Sequence, residues 1–485
     1  MGLTPPCSLS AWSDDHELSV LGDHHPAWTS QAVMGPRLIR PFGGDQCSMG
    51  TSPHRGSYTV TFFQLPKSNR NSNIPATKRG IDCFAMTILT ARRYDTLQPL
   101  RITLRDRRIV SVVPLDMSQD DSRELPFVGP GLCDIQVNGF KGIWFSSETL
   151  TADDVENVIQ WYVECGITQC LPTLITNSAA ALEHGLATIR AARDRSPLLR
   201  QVIAGCHVEG PWISPEDGPR GAHPLEHVRR ADFSEFCRWQ QVSGNLVRIV
   251  TLAPEVPGAI HVIQQIVKSG VCVSIGHTAA TPAEIAASID AGATLGTHLG
   301  NGCSALVPRH HNVFWPQLAD DRLTCSVIAD GWHVPEAMLN CIVRCKSLDR
   351  LILTSDVSGF GGCPVGRYRS GAVEVEILGD GRIVVAGQTQ FLAGSGVLTG
   401  DCVARFMSVC RVPLHAAWNL ASTRPASLLN SRGGFLQEGQ SPRLTVFRLS
   451  GINSEEALHP TQRPVFQPVA TIVDGQNVMA TASIV

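Results

Sequence analysis

The most constraining feature of this 485-residue chain is a series of short apolar runs, rich in β-branched residues, that recurs from Gly131 onward. The runs read ITQCLPTLI, QVIAGCHVE, LVRIVTLAPE, VCVSIGHT, ATLGTHL, LTCSVIADG and LILTSDV, and each is followed by loop or helix signals. Strands that are apolar along their whole length are typical of a parallel sheet with helices on both faces. About seven such repeats therefore predict an α/β fold, a (β/α)8 TIM barrel. A doubly wound sheet is the alternative, but no glycine-rich phosphate loop follows any run.

Two helix starts support this alternation of strand and helix. Thr151 and Asp154 have the spacing of a capping box, and an apolar face follows them. Thr281 and Glu284 repeat the pattern, with Pro282 in the first helical turn. We therefore expect one helix to begin after Thr151 and another after Thr281.

The N-terminal part of the chain differs from the barrel. Residues 1–85 show no persistent helix or strand period, and their Pro, Ser, His and Gly residues are scattered. This composition predicts a poorly structured extension. At Met86 the pattern changes to alternating apolar residues, so Met86 is also a candidate start of the functional chain.

The two ends of the remaining chain predict a second structural unit. Residues 86–130 contain LRITLRDRRIVSVVP, and residues 431–485 contain RLTVFRL and PVATIVDGQNVMA, with Asp474-Gly475 as a hairpin turn. We expect these segments to pair into one small β-sandwich. The barrel then spans residues 131–430.

Composition excludes several classes of protein. The chain has 40 Lys and Arg against 43 Asp and Glu, a net charge of −3, so no strong field favours nucleic acid or an anionic membrane. Its 16 cysteines are dispersed without the paired spacing of a structural zinc site, which predicts free thiols in a reducing compartment. There is no apolar stretch long enough to span a bilayer. We expect a soluble, cytoplasmic protein that binds neither nucleic acid nor membrane.

Polar residues that end four of the apolar runs are the candidates for chemistry. They are Glu209, His277, His298 and Asp356. Each alone could be a turn acceptor, a buried histidine or a loop cap. In a TIM barrel, however, the carboxyl ends of the strands meet at one mouth. Two imidazoles and one carboxylate are a common ligand set for a catalytic divalent metal, and the remaining carboxylate suits proton transfer.

Seven segments occur in a recognisable order: GLCDIQVNGFKGIWF, HVEGPWISPEDGPRGAHP, SIGHTAATPAE, GATLGTHLGN, DGWHVP, LTSDVSGFGG and LAGSGVLTGD. In this order they resemble the N-acetylglucosamine-6-phosphate deacetylase family of the amidohydrolase superfamily. The resemblance implies a barrel with a small β-sandwich from both chain ends. It also implies a metal held by Glu209, His277 and His298, Asp356 as the general base, and His223 as a donor to the acyl carbonyl oxygen.

Substrate contacts are also implied by the resemblance. They match Asn301, Gly302, Arg309 and His333, of which the last two grip a phosphate. The expected substrate is an acetylated amino sugar that carries a phosphate, and the expected assembly is a homodimer whose phosphate pocket borrows from the neighbouring subunit.

Two segments depart from the family pattern and leave the sugar open. GNGCSALVPRHHNVFWPQL lacks the usual aromatic, Ala and Met residues, and TSDVSGFGGCPVGRYR replaces an Asp-Ala-Met loop. The alternatives are a related deacylase or deaminase acting on another small substrate, and a metal-binding barrel without catalysis. The separate Asp356 favours an enzyme, since metal binding alone does not require it.

The first strand of the barrel predicts the number of metal ions. Many amidohydrolases have His-x-His there, whereas this chain has Gln136 and Asn138. Neutral amides are poor zinc ligands beside imidazole and carboxylate. LVRIVTLAPE offers no lysine to bridge two metals. We therefore predict a mononuclear site that holds zinc, with iron, cobalt or manganese as alternatives.

Overall fold

The computed structural model describes residues 86–370, 373–431, 436–451, 463–474 and 476–479. The predicted extension over residues 1–85 lies outside these ranges, as does Gly475 of the predicted hairpin turn.

The described strands, in chain order, are β1 Thr87–Arg93, β2 Pro99–Arg105, β3 Arg108–Pro114, β4 Phe127–Pro130, β5 Leu132–Val137, β6 Gly139–Phe140, β7 Ile143–Trp144, β8 Ile167–Ile175, β9 Cys206–Glu209, β10 Val247–Leu252, β11 Cys272–Ile275, β12 Leu295–Gly296, β13 Thr324–Val327, β14 Leu351–Leu353, β15 Gly366–Ser370, β16 Val373–Ile377, β17 Ile383–Val385, β18 Gln388–Leu392, β19 Arg443–Ser450, β20 Val465–Val473 and β21 Gln476–Met479. The described α-helices are α1 Gln119–Arg123, α2 Ala152–Glu164, α3 Ala179–Arg195, α4 Pro197–Val202, α5 Phe233–Ser243, α6 Ala259–Lys268, α7 Pro282–Asp290, α8 Phe314–Ala319, α9 Glu336–Lys346, α10 Thr399–Cys410, α11 Leu414–Leu420 and α12 Thr423–Leu428.

The centre of the fold is a parallel sheet of eight strands in the order β14-β13-β12-β11-β10-β9-β8-β5. A parallel bridge between Val137 and Val357 joins its two edges and closes it into a barrel. Helices alternate with these strands along the chain, from α2 to α10. The strands are almost wholly buried, as their apolar sequences require, because side chains on both faces are covered. The predicted (β/α)8 TIM barrel is confirmed.

Both predicted capping boxes are present. The backbone N–H of Asp154 donates to the hydroxyl of Thr151, and the Asp154 carboxylate accepts from the Thr151 N–H, at the start of α2. Thr281 and Glu284 form the same pair at the start of α7, with proline in the first turn. These side chains satisfy N–H groups that have no partner within the helix, so α2 and α7 begin where the sequence predicts.

The two ends of the described chain meet in one sheet of seven strands, in the order β21-β20-β19-β4-β1-β2-β3. The register pairs Val446 of β19 with Val128 of β4. Phe447 of β19 stacks on Trp418 of α11, with ring centroids 4.0 Å apart. The hydroxyl of Thr445 donates to the carbonyl of Gly166 at 2.6 Å and so links this sheet to the barrel. The prediction that both chain ends pair into a small β-sandwich is confirmed for the pairing, and the described segments form one sheet of seven strands.

A four-stranded antiparallel sheet, β15 to β18, was not predicted from the sequence. It lies between β14 and α10 in the chain and begins within TSDVSGFGGCPVGRYR, the segment that departs from the family's Asp-Ala-Met loop. Val375, Ile377 and Ile383 pack with Phe360 into a small core of their own. This sheet forms part of the wall of the cavity described below.

The sequence predicts that the chain has no membrane-spanning segment and that its cysteines are free thiols. In the part of the chain that the structure describes, no helix combines the length and apolarity that crossing a bilayer requires. The 13 cysteines in the described ranges all have free thiols.

Candidate metal centre and active site

The predicted metal ligands come together at the carboxyl ends of three barrel strands. Glu209 is the last residue of β9, while His277 follows β11 and His298 follows β12. Oε1 of Glu209 lies 3.3 Å from Nε2 of His277 and 3.1 Å from Nε2 of His298, and the two Nε2 atoms are 3.0 Å apart. All three side chains are buried. Two imidazole nitrogens and one carboxylate oxygen that converge within 4.8 Å form a donor set suited to a divalent metal.

Asp356 lies three residues beyond β14, at the same end of the barrel and in the same cavity. Like His277 and His298, it has a left-handed backbone, with φ of 48° against 52° and 32° for the two histidines. Residues other than glycine adopt this region only when surrounding contacts hold them there. For Asp356 those contacts include its N–H donating to the carbonyl of Gln136 at 3.0 Å. This left-handed backbone conformation occurs at three of the four residues predicted to carry the chemistry, namely His277, His298 and Asp356.

The two buried carboxyl groups differ in their readiness to ionise. Burial opposes the charge on Glu209, yet hydrogen bonds from His277 and His298 outweigh it and hold the pKa of Glu209 well below its ordinary value. Burial, and next the charge of Glu209, raise the pKa of Asp356 to about 6. One carboxyl group therefore stays ionised, as a ligand requires, while the other can both accept and release a proton.

Gln136 and Asn138, the residues found in place of His-x-His, each donate to one of these carboxylates. Nε2 of Gln136 lies 2.8 Å from Oε1 of Glu209. Nδ2 of Asn138 lies 2.8 Å from Oδ1 of Asp356. Both amides thus act as neutral donors that orient a carboxylate.

His223, predicted to contact the acyl carbonyl, reaches the same centre from the loop after β9. Its Nδ1 lies 2.7 Å from the hydroxyl oxygen of Thr176, and its Nε2 lies 4.0 Å from Oε2 of Glu209. Its ring centroid is 4.2 Å from that of His277. Burial, with the charge of His277, lowers the pKa of His223 to about 3, so the ring is neutral.

These residues open onto a cavity of about 890 Å³. Of the predicted substrate contacts, Asn301, Gly302 and His333 line it. Nδ1 of His333 is held by Asp330 at 2.7 Å. Arg309 is exposed and does not line the cavity of its own chain. The structure therefore brings three of the four predicted substrate contacts to the site and places Arg309 outside it.

The outer wall of the cavity is partly aromatic. Trp144, Trp332 and Phe391 line it, and Phe391 belongs to β18 of the unpredicted sheet. The guanidinium of Arg382 lies 5.1 Å from the ring centroid of Trp332 and so connects that sheet to the loop before His333. Among the described residues that line the cavity there is no arginine and no lysine.

Comparison with known proteins identifies the family. No family model matches the chain. The N-acetylgalactosamine-6-phosphate deacetylase of Escherichia coli O157:H7 is 30% identical over 382 residues, covering 77% of this chain and 97% of that protein. The N-acetylglucosamine-6-phosphate deacetylase of Bos taurus is 32% identical over 365 residues, covering 72% and 85%. This chain belongs to the N-acetylglucosamine-6-phosphate deacetylase family.

A solved structure agrees with this assignment. The crystal structure of N-acetyl-D-glucosamine-6-phosphate deacetylase from Mycobacterium smegmatis is 29% identical, with a TM-score of 0.69, and the match covers 81% of this chain and all of that one (100%). A variant of that enzyme in complex with N-acetyl-D-glucosamine-6-phosphate has the same TM-score at 28% identity. The resemblance drawn from the motifs is confirmed.

In this member of the deacetylase family, two polar residues at or behind the site are not predicted from the sequence. Thr176 directly follows β8, and its contact with His223 orients that ring. Asp134 of β5 is fully buried and accepts hydrogen bonds from the Thr354 hydroxyl, the Ser355 N–H and the Thr399 hydroxyl at 2.5, 2.9 and 2.6 Å. The sequence pattern could have indicated Thr176, because it too is a polar residue that follows an apolar run at a strand end. Asp134 lies within an apolar strand and has no such signal.

Proposed function

We propose that this chain hydrolyses the amide bond of N-acetylglucosamine 6-phosphate, releasing acetate and glucosamine 6-phosphate. The observation that carries the proposal is the convergence of Glu209, His277 and His298 with a separate buried carboxyl group, Asp356, in a chain of the deacetylase family. Metal binding alone does not require Asp356. A hydrolase that must move a proton does.

The metal ligands in this proposal are Glu209, His277 and His298. A divalent ion bound by them supplies Lewis acidity towards the acyl oxygen and lowers the pKa of water. The donor set fits one ion, because Gln136 and Asn138 already donate to carboxylates and offer no anionic or imidazole ligand for a second. Zinc suits two imidazoles and a carboxylate, and iron, cobalt and manganese are the alternatives.

Asp356 acts as the general base and then as the general acid. Asn138 occupies its Oδ1, which leaves Oδ2 to take a proton from the attacking water. Its raised pKa suits the second step, in which it returns the proton to the leaving nitrogen. Without this transfer the amine would leave as an unfavourable anion.

His223 stabilises charge on the other side of the scissile bond. Its neutral ring donates from Nε2 to the acyl carbonyl oxygen, where negative charge develops. His333, held by Asp330, contacts the sugar phosphate end, with Asn301 and the backbone of Gly302 beside it. Each predicted residue that lines the cavity therefore has a role in the proposed reaction.

The homodimer supplies the missing cation in this proposal. A phosphate dianion requires positive charge, yet the described lining of one chain contains four carboxylates, Glu148, Glu209, Glu226 and Asp356, and no arginine or lysine. Arg309 is exposed in its own chain and is therefore free to enter the cavity of a second copy. The neighbouring Leu306, 91% exposed, would be covered by the same contact.

The same proposal includes the domain organisation and the cellular location of the chain. Residues 86–130 and 431–485 form the small β-sandwich, and residues 131–430 form the barrel. The free thiols support a reducing compartment, the cytoplasm. Recovery of the protein in an oxidising compartment on cell fractionation would contradict this location.

The test uses purified enzyme with its bound metal quantified. Acetate release is measured from N-acetylglucosamine 6-phosphate, N-acetylgalactosamine 6-phosphate and unphosphorylated N-acetylglucosamine. We expect the first to react fastest and one metal ion per chain. The second sugar is included because a relative that matches over 97% of its length is named for it. Release from none of the three would refute the proposed activity.

A further inference from the structure

The hydroxyl of Thr176 lies beside a ring nitrogen of His223 and a backbone carbonyl, and it has only one proton to donate. Its oxygen lies 2.7 Å from Nδ1 of His223 and 3.5 Å from the carbonyl oxygen of Glu209. The first distance is that of a good hydrogen bond, whereas the second lies at the outer limit. Thr176 is 1% exposed and His223 is 5% exposed, so bulk water does not compete for either group. The shorter contact is the stronger one, and in it the hydroxyl either donates to Nδ1 or accepts from it.

The opposite side of the His223 ring favours donation by the Thr176 hydroxyl to Nδ1. A neutral imidazole has one N–H and one bare nitrogen. If Nδ1 carried the proton, the lone pair of Nε2 would face Oε2 of Glu209, 4.0 Å away. Two acceptors that face each other in a buried site repel strongly. A proton on Nε2 replaces this repulsion with attraction.

The backbone beside Glu209 leaves room for the Thr176 hydroxyl. A Cβ atom at Gly210 would lie 2.1 Å from Oγ1 of Thr176, far closer than real Cβ contacts allow. Gly210 also has φ of 77°, in the left-handed region that favours glycine. The loop that follows the metal ligand is thus shaped around this hydroxyl group.

We propose that Thr176 is a positioning residue whose hydroxyl donates to Nδ1 of His223 and keeps the ring in the tautomer with its proton on Nε2. The inference rests on the proposed function, because Nε2 is the atom that donates to the acyl carbonyl oxygen. In the other tautomer, His223 would present a lone pair to that oxygen and would oppose the developing negative charge.

The first test reads the tautomer directly. The zinc-loaded wild-type enzyme is labelled with ¹⁵N-histidine, and the His223 ring signals are assigned by their loss in His223→Gln. We expect Nε2 to be protonated and Nδ1 to be bare. Thr176→Ser, which keeps the hydroxyl, should retain this pattern, whereas Thr176→Val, which is nearly isosteric, should lose it. A wild-type proton on Nδ1, or a wild-type pattern in Thr176→Val, would overturn the proposal.

The second test separates positioning from folding. Thr176→Val should lower kcat by roughly 10- to 100-fold, as is usual for removing a group that orients a site residue, with KM and metal content near those of wild type. Thr176→Ser should restore kcat. An unchanged kcat in Thr176→Val would overturn the role. If the wild-type enzyme deacetylates none of the sugars, the proposed function fails, yet the tautomer measurement still decides the assignment of Thr176.

Discussion

At the scale of single residues, two buried carboxyl groups line one cavity but have pKa values shifted in opposite directions. Glu209 receives hydrogen bonds from two imidazoles and from Gln136, which favour its ionised form. Asp356 receives one amide hydrogen bond and feels the negative charge of Glu209. Environments that push two pKa values apart support the proposed acid–base role of Asp356 and the proposed ligand role of Glu209.

Asp356→Asn tests this division. The amide cannot accept the proton of water, so we expect kcat to fall by about 10³-fold, a typical size for loss of a general base. Metal content, measured by elemental analysis, should stay near one ion per chain. Asp194→Asn, a change in an exposed surface pair, is the control and should leave both values unchanged. Near-normal turnover in Asp356→Asn would refute the assignment.

Gln136 and Asn138 allow a paired comparison, since each contacts a different carboxylate. Gln136→Leu removes the donor to Glu209 and should weaken metal affinity by roughly 10- to 100-fold. Asn138→Leu removes the donor to Asp356 and should lower kcat while metal affinity stays close to that of wild type. Metal titration and steady-state kinetics on both variants provide the measurement. Equal loss of metal affinity in the two variants would contradict the pairing.

How much of the site could be predicted from sequence depends on where each residue lies. Glu209, His277, His298 and Asp356 stand out because each interrupts an apolar run at a strand end. Asp134 does not stand out in this way. Its four hydrogen-bond donors come from its own strand and from residues 354, 355 and 399. These residues are brought together only when the barrel closes. Periodicity predicts which faces are buried, but it carries no information on such distant partners.

At the scale of elements, the barrel strands and their helices could be predicted because each repeat has a local signal. The four-stranded sheet could not. Its strands are short, and its small core depends on Phe360, which lies outside them in the chain. Some barrel strands are also shorter than their apolar runs, as β12 shows with only Leu295–Gly296. Sequence alternation identifies an element more readily than its limits.

The buried Lys346 shows how one helix supports another. Its Nζ donates to the carbonyls of Gln317 and Asp320, at 3.0 and 2.7 Å, at the C-terminus of α8. These carbonyls have no partner within the helix. We expect Lys346→Met to lower the free energy of unfolding by about 2 kcal/mol, because charge-assisted hydrogen bonds are lost and buried acceptors remain. Denaturant unfolding measures the change.

Lys268→Met is the matched control, because Lys268 lies exposed in the last turn of α6. A surface change of this kind should alter the stability by no more than about 0.5 kcal/mol. Equal stability of the two variants would contradict a capping role for Lys346.

At the scale of the whole molecule, the described ends of the chain meet in one sheet, while the described lining of the cavity contains no arginine or lysine. The seven-stranded sheet joins both described ends, and Thr445 and Thr471 anchor it to Gly166 and Val163 of the barrel. The cavity, in contrast, has carboxylates and aromatic rings but no arginine or lysine among its described lining residues. Under the proposed function, a phosphate in this cavity needs positive charge that the described lining does not provide, and Arg309 of a second copy is the proposed source.

Mixing two inactive variants tests whether a second copy supplies that charge. Arg309→Met retains Asp356, and Asp356→Asn retains Arg309. In the proposed homodimer, each variant alone should turn over the phosphorylated sugar poorly. After unfolding and refolding together in equal amounts, half of the dimers are mixed and each mixed dimer has one complete site, so about a quarter of the wild-type rate should return. Activity that stays at the level of the separate variants would show that Arg309 serves its own chain or none.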